Sequence, residues 1–295
     1  MNRSIIEPVD KDHWLSLRAQ DITSTEVSAL FGLSPYQSLF EVWHRKKYGN
    51  YVTIEENTRM KWGSRLESSI AQGIATDNGW GIVSKKHYIR CDDYRIGSSF
   101  DFEVIHPFNG LLEIKNVDSL VFNKSWTDNE APPHIELQAQ HQMLVSGINT
   151  LYIGALIGGN DVVLYKRSAN EHIQNAILEK VKEFWFSIEK GLEPQPDFEK
   201  DAKFIQSLNN YAEPGKVVFS NEEINKLALD YKKISDEIKD LDTKKETVKA
   251  MIMNIIGDAE KVKDDMFTIS AGIIGESHVS FIRKPYRNFK ITWKK

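Results

Sequence analysis

The spacing of apolar positions changes several times along the chain, and each change predicts a new element. In "ITSTEVSALFGL", Thr23 and Glu26 form a capping-box pattern before an apolar run that ends near Gly32, which predicts a helix. "PYQSLFEVWHRKKYG" predicts a second helix, capped by Ser38 and stopped at Gly49. Between about Thr58 and Asn78, ahead of Gly79, the residues Gly63, Glu67, Ile70 and Ile74 recur at helical spacing. Glu67 therefore shares the apolar stripe of that helix. The period then falls to two: "GIVSKKHYIRC", "YRIGSSFDFEVI" and "GLLEIKNV" predict strands. "PPHIELQAQHQMLVSG" predicts a helix entered through two prolines and ended by Gly147. "LYIGALIGGNDVVLYKR" predicts a hairpin turning at Gly158-Gly159-Asn160. Ser168 and Glu171 suggest another capping box, before a helix that runs to about Lys190 and stops at Gly191. The proline-containing stretch 192–214 reads as a linker or loose packing layer.

From Ile224 the register changes again. Leu227, Tyr231, Ile234, Ile238, Leu241, Val248, Ile252 and Ile255 follow at alternating steps of three and four, with Lys245 as the one interruption. That is a heptad pattern over about 32 residues, or roughly 48 Å of straight helix, with Ser220 as its cap and Gly257 at its end. It fits an amphipathic helix lying on the main domain, or a coiled-coil seam to another copy or a partner. "MFTISAGI", "SHVSFIR" and "NFKITWK" then predict a small antiparallel meander. The expected division is a core over 1–200, a linker over 201–219 and a C-terminal extension over 220–295.

Composition narrows the class. The 295 residues are 41% apolar and 27% charged, with 7 Trp and 14 Phe, which is a core-forming chain and not a disordered one. The net charge of −4 means that any contact with nucleic acid must use local basic patches. The single cysteine, Cys91, rules out a disulfide within the chain. No apolar run approaches the ~18 residues of a membrane span, and "MNRSIIEPVDKDHW" lacks the apolar stretch of a signal peptide. The expectation is a soluble, cytoplasmic protein.

Candidate chemistry lies in the strands. Glu113 and Lys115 are two apart and share a strand face, as do Ser99 and Asp101 one strand earlier. If these strands are antiparallel neighbours, Asp101, Glu113 and Lys115 can cluster. Two carboxylates and a backbone carbonyl suit Mg²⁺ or Mn²⁺. An ion pair on one sheet face explains the same letters. Glu67, on the inner stripe of its helix, supplies a third carboxylate. Gln140, with Leu137, Met143 and Leu144 at helical spacing, places an amide on a buried helix face, where it could hold a water beside Lys115 or simply satisfy the backbone. Arg18 and Thr25, near a helix start, suit a phosphate, although Thr23, Ser24 and Thr25 also suit ordinary capping.

Taken in order, "RAQDITSTEVSALFGLSPY", "WGSRLE", "IGSSFD", "LLEIK" and "LQAQHQMLVSG" resemble the lambda exonuclease and YqaJ-type viral recombinase family, within the PD-(D/E)XK nucleases. The resemblance covers about Leu17 to Arg167. It implies an α/β, restriction-endonuclease-like core: a mixed β-sheet flanked by helices, here followed by the long helix and small β-meander. It also implies Mg²⁺-dependent phosphodiester hydrolysis, with Mn²⁺ able to substitute. The implied metal ligands are Asp101, Glu113 and the Ile114 carbonyl, with Glu67 serving a second ion. Lys115 and Gln140 would position the attacking water, with Gln138, the first glutamine of the family's Gln-x-Gln, as a weaker candidate. Arg18, Thr25 and Ser99 would bind the terminal 5′-phosphate of a strand.

The implied protein is a phage or prophage exonuclease in a bacterial cytoplasm. It would act on double-stranded DNA ends in the 5′ to 3′ direction, as a ring-shaped trimer, beside a single-strand annealing protein. The alternatives are a PD-(D/E)XK endonuclease or nickase, and a catalytically silent DNA-binding protein. Two features depart from the family pattern. Phe100 and Phe102 flank Asp101 where Pro and Gly are common, and Thr25 stands where serine is common. The last fifteen residues, "FIRKPYRNFKITWKK", carry six Lys/Arg and four aromatics. They fit a single-stranded DNA track or a solvated terminal hairpin.

Overall fold

The computed structural model describes residues 1–49, 57–127, 129–283 and 286–293. It divides into two units, Met1–Ile205 and Gln206–Lys295.

The first unit opens with strand β1 (Ser4–Ile6), helix α1 (Lys11–Gln20), strand β2 (Ile22–Thr23) and the short helix α2 (Val27–Leu30). Helices α3 (Leu39–Tyr48) and α4 (Thr58–Asn78) follow, then strands β3 (Gly81–Ser84), β4 (Tyr88–Cys91), β5 (Ile96–Ser99), β6 (Phe102–His106) and β7 (Gly110–Val117). Helices α5 (Ser119–Ser125) and α6 (Pro133–Ser146), the hairpin β8 (Thr150–Ile157) and β9 (Asp161–Ser168), and helices α7 (Glu171–Lys190) and α8 (Phe198–Leu208) complete the run.

Two sheets organise these elements. A five-stranded sheet has the order β3-β6-β7-β8-β9, and a four-stranded sheet the order β1-β4-β5-β2. In the larger sheet β7 and β8 are parallel and the other pairs antiparallel, so it is the mixed, helix-flanked sheet that the sequence implies. Leu112 and Ile114 pack with Phe102, Val104, Ile70 and Ile74 on the α4 side. Leu111, Leu151 and Ile153 pack on the opposite side with Met143, Ile177 and Phe184. Gly154 of β8 has no Cβ where one would stand 2.5 Å from Ile74 Cδ1, so α4 can lie close against the sheet. Helix α6 is buried along its length from Leu137 to Val145, between the two sheets and against α2 and α7.

The caps of α3, Ser38 and Gly49, are those expected, and α4 spans the expected residues with Gly79 left-handed after it. Other expectations are corrected. Glu26 does reach back to the Thr23 N–H (3.0 Å), but Thr23 belongs to β2 and the helix behind it has four residues. Helix α7 is capped by Asn170, not Ser168. "GIVSKKHYIRC" and "YRIGSSFDFEVI" each split into two strands that join different sheets. Helices α1, α5 and α8 stand where no helix was expected. The last lies within the stretch 192–214 read as a linker or loose packing layer, and it buries Asp201 and Phe204.

In the second unit, α9 (Glu222–Ile256) is one 35-residue helix capped by Asn221, not Ser220, and ended at Gly257. None of its residues is buried. Strands β10 (Lys261–Lys263) and β11 (Thr268–Ser270) pair as a hairpin. The expected meander is not formed: among the described residues, "SHVSFIR" and "NFKITWK" carry no strand. Of the basic terminal stretch, Lys284, Pro285, Lys294 and Lys295 lie outside the described residues. Among the described residues no helix is long and apolar enough to cross a membrane.

Candidate active site

The site begins where β6 stops pairing with β7. Their ladder runs Val104↔Gly110, Glu103↔Leu111, Phe102↔Leu112, so Asp101 stands just beyond its end. Phe100 and Phe102 on either side of it are buried in different hydrophobic clusters and pin the chain there. The Asp101 Oδ2 takes over as partner of β7, accepting the Ile114 N–H at 2.8 Å. A strand residue turns its N–H and C=O to the same side, so the Ile114 carbonyl faces the edge that β6 has vacated.

Glu113 projects from the same strand toward α6. Its Oε1 accepts from Lys115 Nζ (2.6 Å) and Gln138 Nε2 (2.6 Å), and Lys115 also donates to Gln138 Oε1 (3.1 Å). Its Oε2 accepts from Gln142 Nε2 at 2.7 Å. Gln138 and Gln142 are one helical turn apart and reach the same carboxylate. Gln140 does not reach it. Its amide donates to the Ser168 carbonyl (2.9 Å) and accepts the Asn170 N–H (2.9 Å), joining the end of β9 to the start of α7. The residue expected beside Lys115 is therefore a structural tie, and Gln138 stands in the expected place.

The charges here are unbalanced. Burial, then the Glu113 charge, pushes the Asp101 carboxyl well above the usual carboxylate range, and Lys115 only partly offsets them. Glu67, on α4, is raised by burial and then by Glu113. Burial works against the Lys115 ammonium, but Glu113 and Asp101 outweigh it and hold it above the usual lysine range. Lys115 is thus a charged donor here and poorly placed to take a proton. Among the described residues three carboxylates share the Lys115 cation, a field that a divalent ion would neutralise with the oxygen ligands it prefers. Among the described residues no three His, Cys, Asp or Glu side chains already stand as a metal cage. The donor chemistry of Asp101, Glu113 and the Ile114 carbonyl fits a hard cation.

A second polar cluster adjoins the first. Arg18 donates to Thr25 Oγ1 (3.0 Å), and its guanidinium lies 4.5 Å from the centre of the Trp14 ring. The Trp14 indole donates to Ser99 Oγ at 2.7 Å, so Arg18, Thr25 and Ser99 are brought together through a residue that sequence reasoning passed over. The Ser99 carbonyl accepts from Gln142 (3.4 Å), which ties this cluster to Glu113. Lys46, also unanticipated, braces it from beneath through the carbonyls of Arg18 (2.8 Å) and Asp21 (2.7 Å) and the Glu26 carboxylate (2.9 Å). Burial raises the Glu26 carboxyl, but Lys46 and Arg18 outweigh it and hold it below the usual range. Lys46 is found only through the fold, because sequence distance hides its contact with Glu26.

This arrangement lies within a stretch that matches a known family model, the YqaJ-like viral recombinase domain, over residues 13–149. Residues 13–149 are thus similar to a YqaJ-like viral recombinase domain. The likeness continues beyond it: the chain is 24% identical over 256 residues to the uncharacterized protein YqaJ of Bacillus subtilis (strain 168), covering 85% of this chain and 80% of that protein. Among solved structures, the alkaline exonuclease LHK-Exo of Laribacter hongkongensis superposes with a TM-score of 0.52 at 18% identity, covering 66% of this chain and all of that one. The same enzyme in complex with dAMP superposes equally well. About two thirds of the chain thus shares the fold of an alkaline exonuclease.

Proposed function

We propose that the protein is a Mg²⁺-dependent exonuclease that degrades one strand of linear double-stranded DNA from its 5′ end and leaves a 3′ overhang. The observation that carries this reading is the joining of two clusters through Ser99 and Gln142. One is cationic and rich in hydroxyls, as a terminal phosphate requires. The other is acidic with a single lysine, as phosphodiester hydrolysis requires. The direction of digestion and the use of Mg²⁺ or Mn²⁺ rest on the family resemblance.

In this reading Arg18, Thr25 and Ser99 hold the 5′-phosphate, and Trp14 fixes the guanidinium and the serine hydroxyl. Asp101, Glu113 and the Ile114 carbonyl would hold Mg²⁺, with Glu67 at a second ion. A bound ion would supply an activated water and neutralise charge on the phosphoryl oxygens. Lys115 and Gln138 orient the water, and Gln142 fixes the Glu113 carboxylate. The product suits a single-strand annealing protein of recombination, and a ring-shaped trimer would keep the enzyme on its DNA.

The test uses three duplex substrates of the same length, each many times the roughly 150-base-pair persistence length of DNA: linear with 5′-phosphate, linear with 5′-hydroxyl, and covalently closed circular. The expected result is digestion of linear DNA only, faster with the 5′-phosphate, and loss of that preference in Arg18→Ala. Cutting of closed circles would favour an endonuclease. Binding to ends with no Mg²⁺-dependent hydrolysis would favour a silent DNA-binding protein.

A further inference from the structure

Helix α9 displays its heptad stripe to solvent. Leu227 is 60% exposed, Ile238 55% and Leu241 63%, and no residue of the helix is buried. Leaving such a stripe in water over four and a half heptads opposes the hydrophobic effect. Within its own unit the stripe meets an edge contact between Tyr231 and Phe289, at 5.6 Å between ring centres. That contact touches one turn of a helix of 35 residues.

The flanking charges identify what covers the rest. With Ile238 at position a and Leu241 at position d, Glu237 and Lys244 fall at g, and Asp242 and Lys249 at e. In a parallel pair of identical helices, each g faces the e five residues on. Glu237 would then face Asp242, and Lys244 would face Lys249, with each clash occurring twice. In an antiparallel pair g faces g. When a of one helix meets d of the other, Ile238 opposes Leu241 at the centre and Glu237 opposes Lys244 on both sides of it. The same sequence is thus self-repelling one way and self-complementary the other. Lys245, the polar break at position a, then falls opposite Ile234, off the centre of the seam.

We propose that α9 pairs antiparallel with α9 of a second copy of this chain, centred between Ile238 and Leu241. The pairing uses residues of α9 alone and none of those named at the candidate site.

The experiment uses the full chain. Sedimentation measures the mass of the wild type and of Ile238→Asp combined with Leu241→Asp. Both positions are exposed in the single chain, so the substitutions leave its fold intact, as circular dichroism checks. The mass is expected to halve, from two paired rings to one ring where the chain is trimeric and from two copies to one where it is not. Lys244→Glu is expected to weaken association roughly tenfold, because two attractive pairs become repulsive, and adding Glu237→Lys is expected to restore it. A spin label on Ile224→Cys reads orientation, since Cys91 is buried and escapes labelling. Antiparallel pairing sets the two labels about 46 Å apart along the axis, and parallel pairing sets them near 10 Å. An unchanged mass in the double Asp variant, tighter association of Lys244→Glu, or the short label distance would each overturn the proposal.

Discussion

At the scale of single residues, three glutamines on one helix have three different tasks. Gln138 and Gln142 hold Glu113, while Gln140 ties the end of β9 to α7. Gln138→Ala is expected to lower the rate of DNA hydrolysis by about a hundredfold, the size typical of removing a group that supports a reactive centre. Each of the two glutamines makes two side-chain hydrogen bonds, so each variant should cost about 2 kcal/mol of stability. The two differ in rate: with Gln140→Ala the turnover of the remaining folded enzyme stays near wild type. Steady-state digestion and urea denaturation of both variants check the pair.

His141, between them, predicts a pH effect. Its Nε2–H donates to the Ile22 carbonyl at 3.2 Å, and burial pushes its pKa down to about 4. The unfolded chain takes up this proton below about pH 6.5, whereas the folded chain resists until about 4. Stability is therefore full above 6.5 and falls as the pH is lowered through the window, by about 3 kcal/mol in all. Asp21, pushed up to about 6 by burial, acts with the opposite sign in an overlapping range. The difference between wild type and His141→Gln isolates the histidine. Denaturation at pH 7 and pH 4.5 should show a smaller drop for the variant, and equal drops would count against a neutral buried His141.

At the scale of elements, the close approach of β4 and β5 depends on Gly97. A Cβ there would stand 2.1 Å from the Tyr88 hydroxyl, which donates to Asp21 Oδ2 at 3.1 Å. Gly97→Ala is expected to displace the buried ring and cost at least about 1–3 kcal/mol, read as a lowered thermal midpoint. Because β5 leads into Ser99 and Asp101, activity should fall with it.

The elements also show what sequence pattern can and cannot reveal. α3, α4, α6 and the β8–β9 hairpin were legible because each carries both a periodic stripe and glycine or cap punctuation. The shared face of Glu113 and Lys115 was legible from strand alternation, whereas Asp101 joins them from the break between β5 and β6 and not from a strand face shared with Ser99. Choosing among the glutamines was not. The rule that a stripe marks the buried face presumes one buried face, and α6 is enclosed on all sides. Residues 138 and 140 differ by about 200° around the axis, and apolar neighbours on every side cannot say which direction holds the site. Helix α1 was missed for the opposite reason: it is short and mostly polar, and its role is to hold Trp14 and Arg18.

At the scale of the whole molecule, the chain joins a compact unit bearing a nuclease-type fold to a unit whose long helix buries nothing of its own. The first unit places the Arg18, Thr25 and Ser99 cluster beside an acidic centre, which in the proposed function is the arrangement needed to start at a phosphorylated end and cut nearby. Everything in that account depends on the acidic centre being the place of hydrolysis. The most direct measurement is the release of nucleotides from 5′-phosphorylated linear duplex DNA in Mg²⁺, comparing wild type with Lys115→Ala. Removing the Lys115 ammonium, which contacts both Glu113 and Gln138, should slow release by about a thousandfold or more while the variant stays folded and still binds DNA ends. Equal rates of release by the two proteins would contradict the assignment.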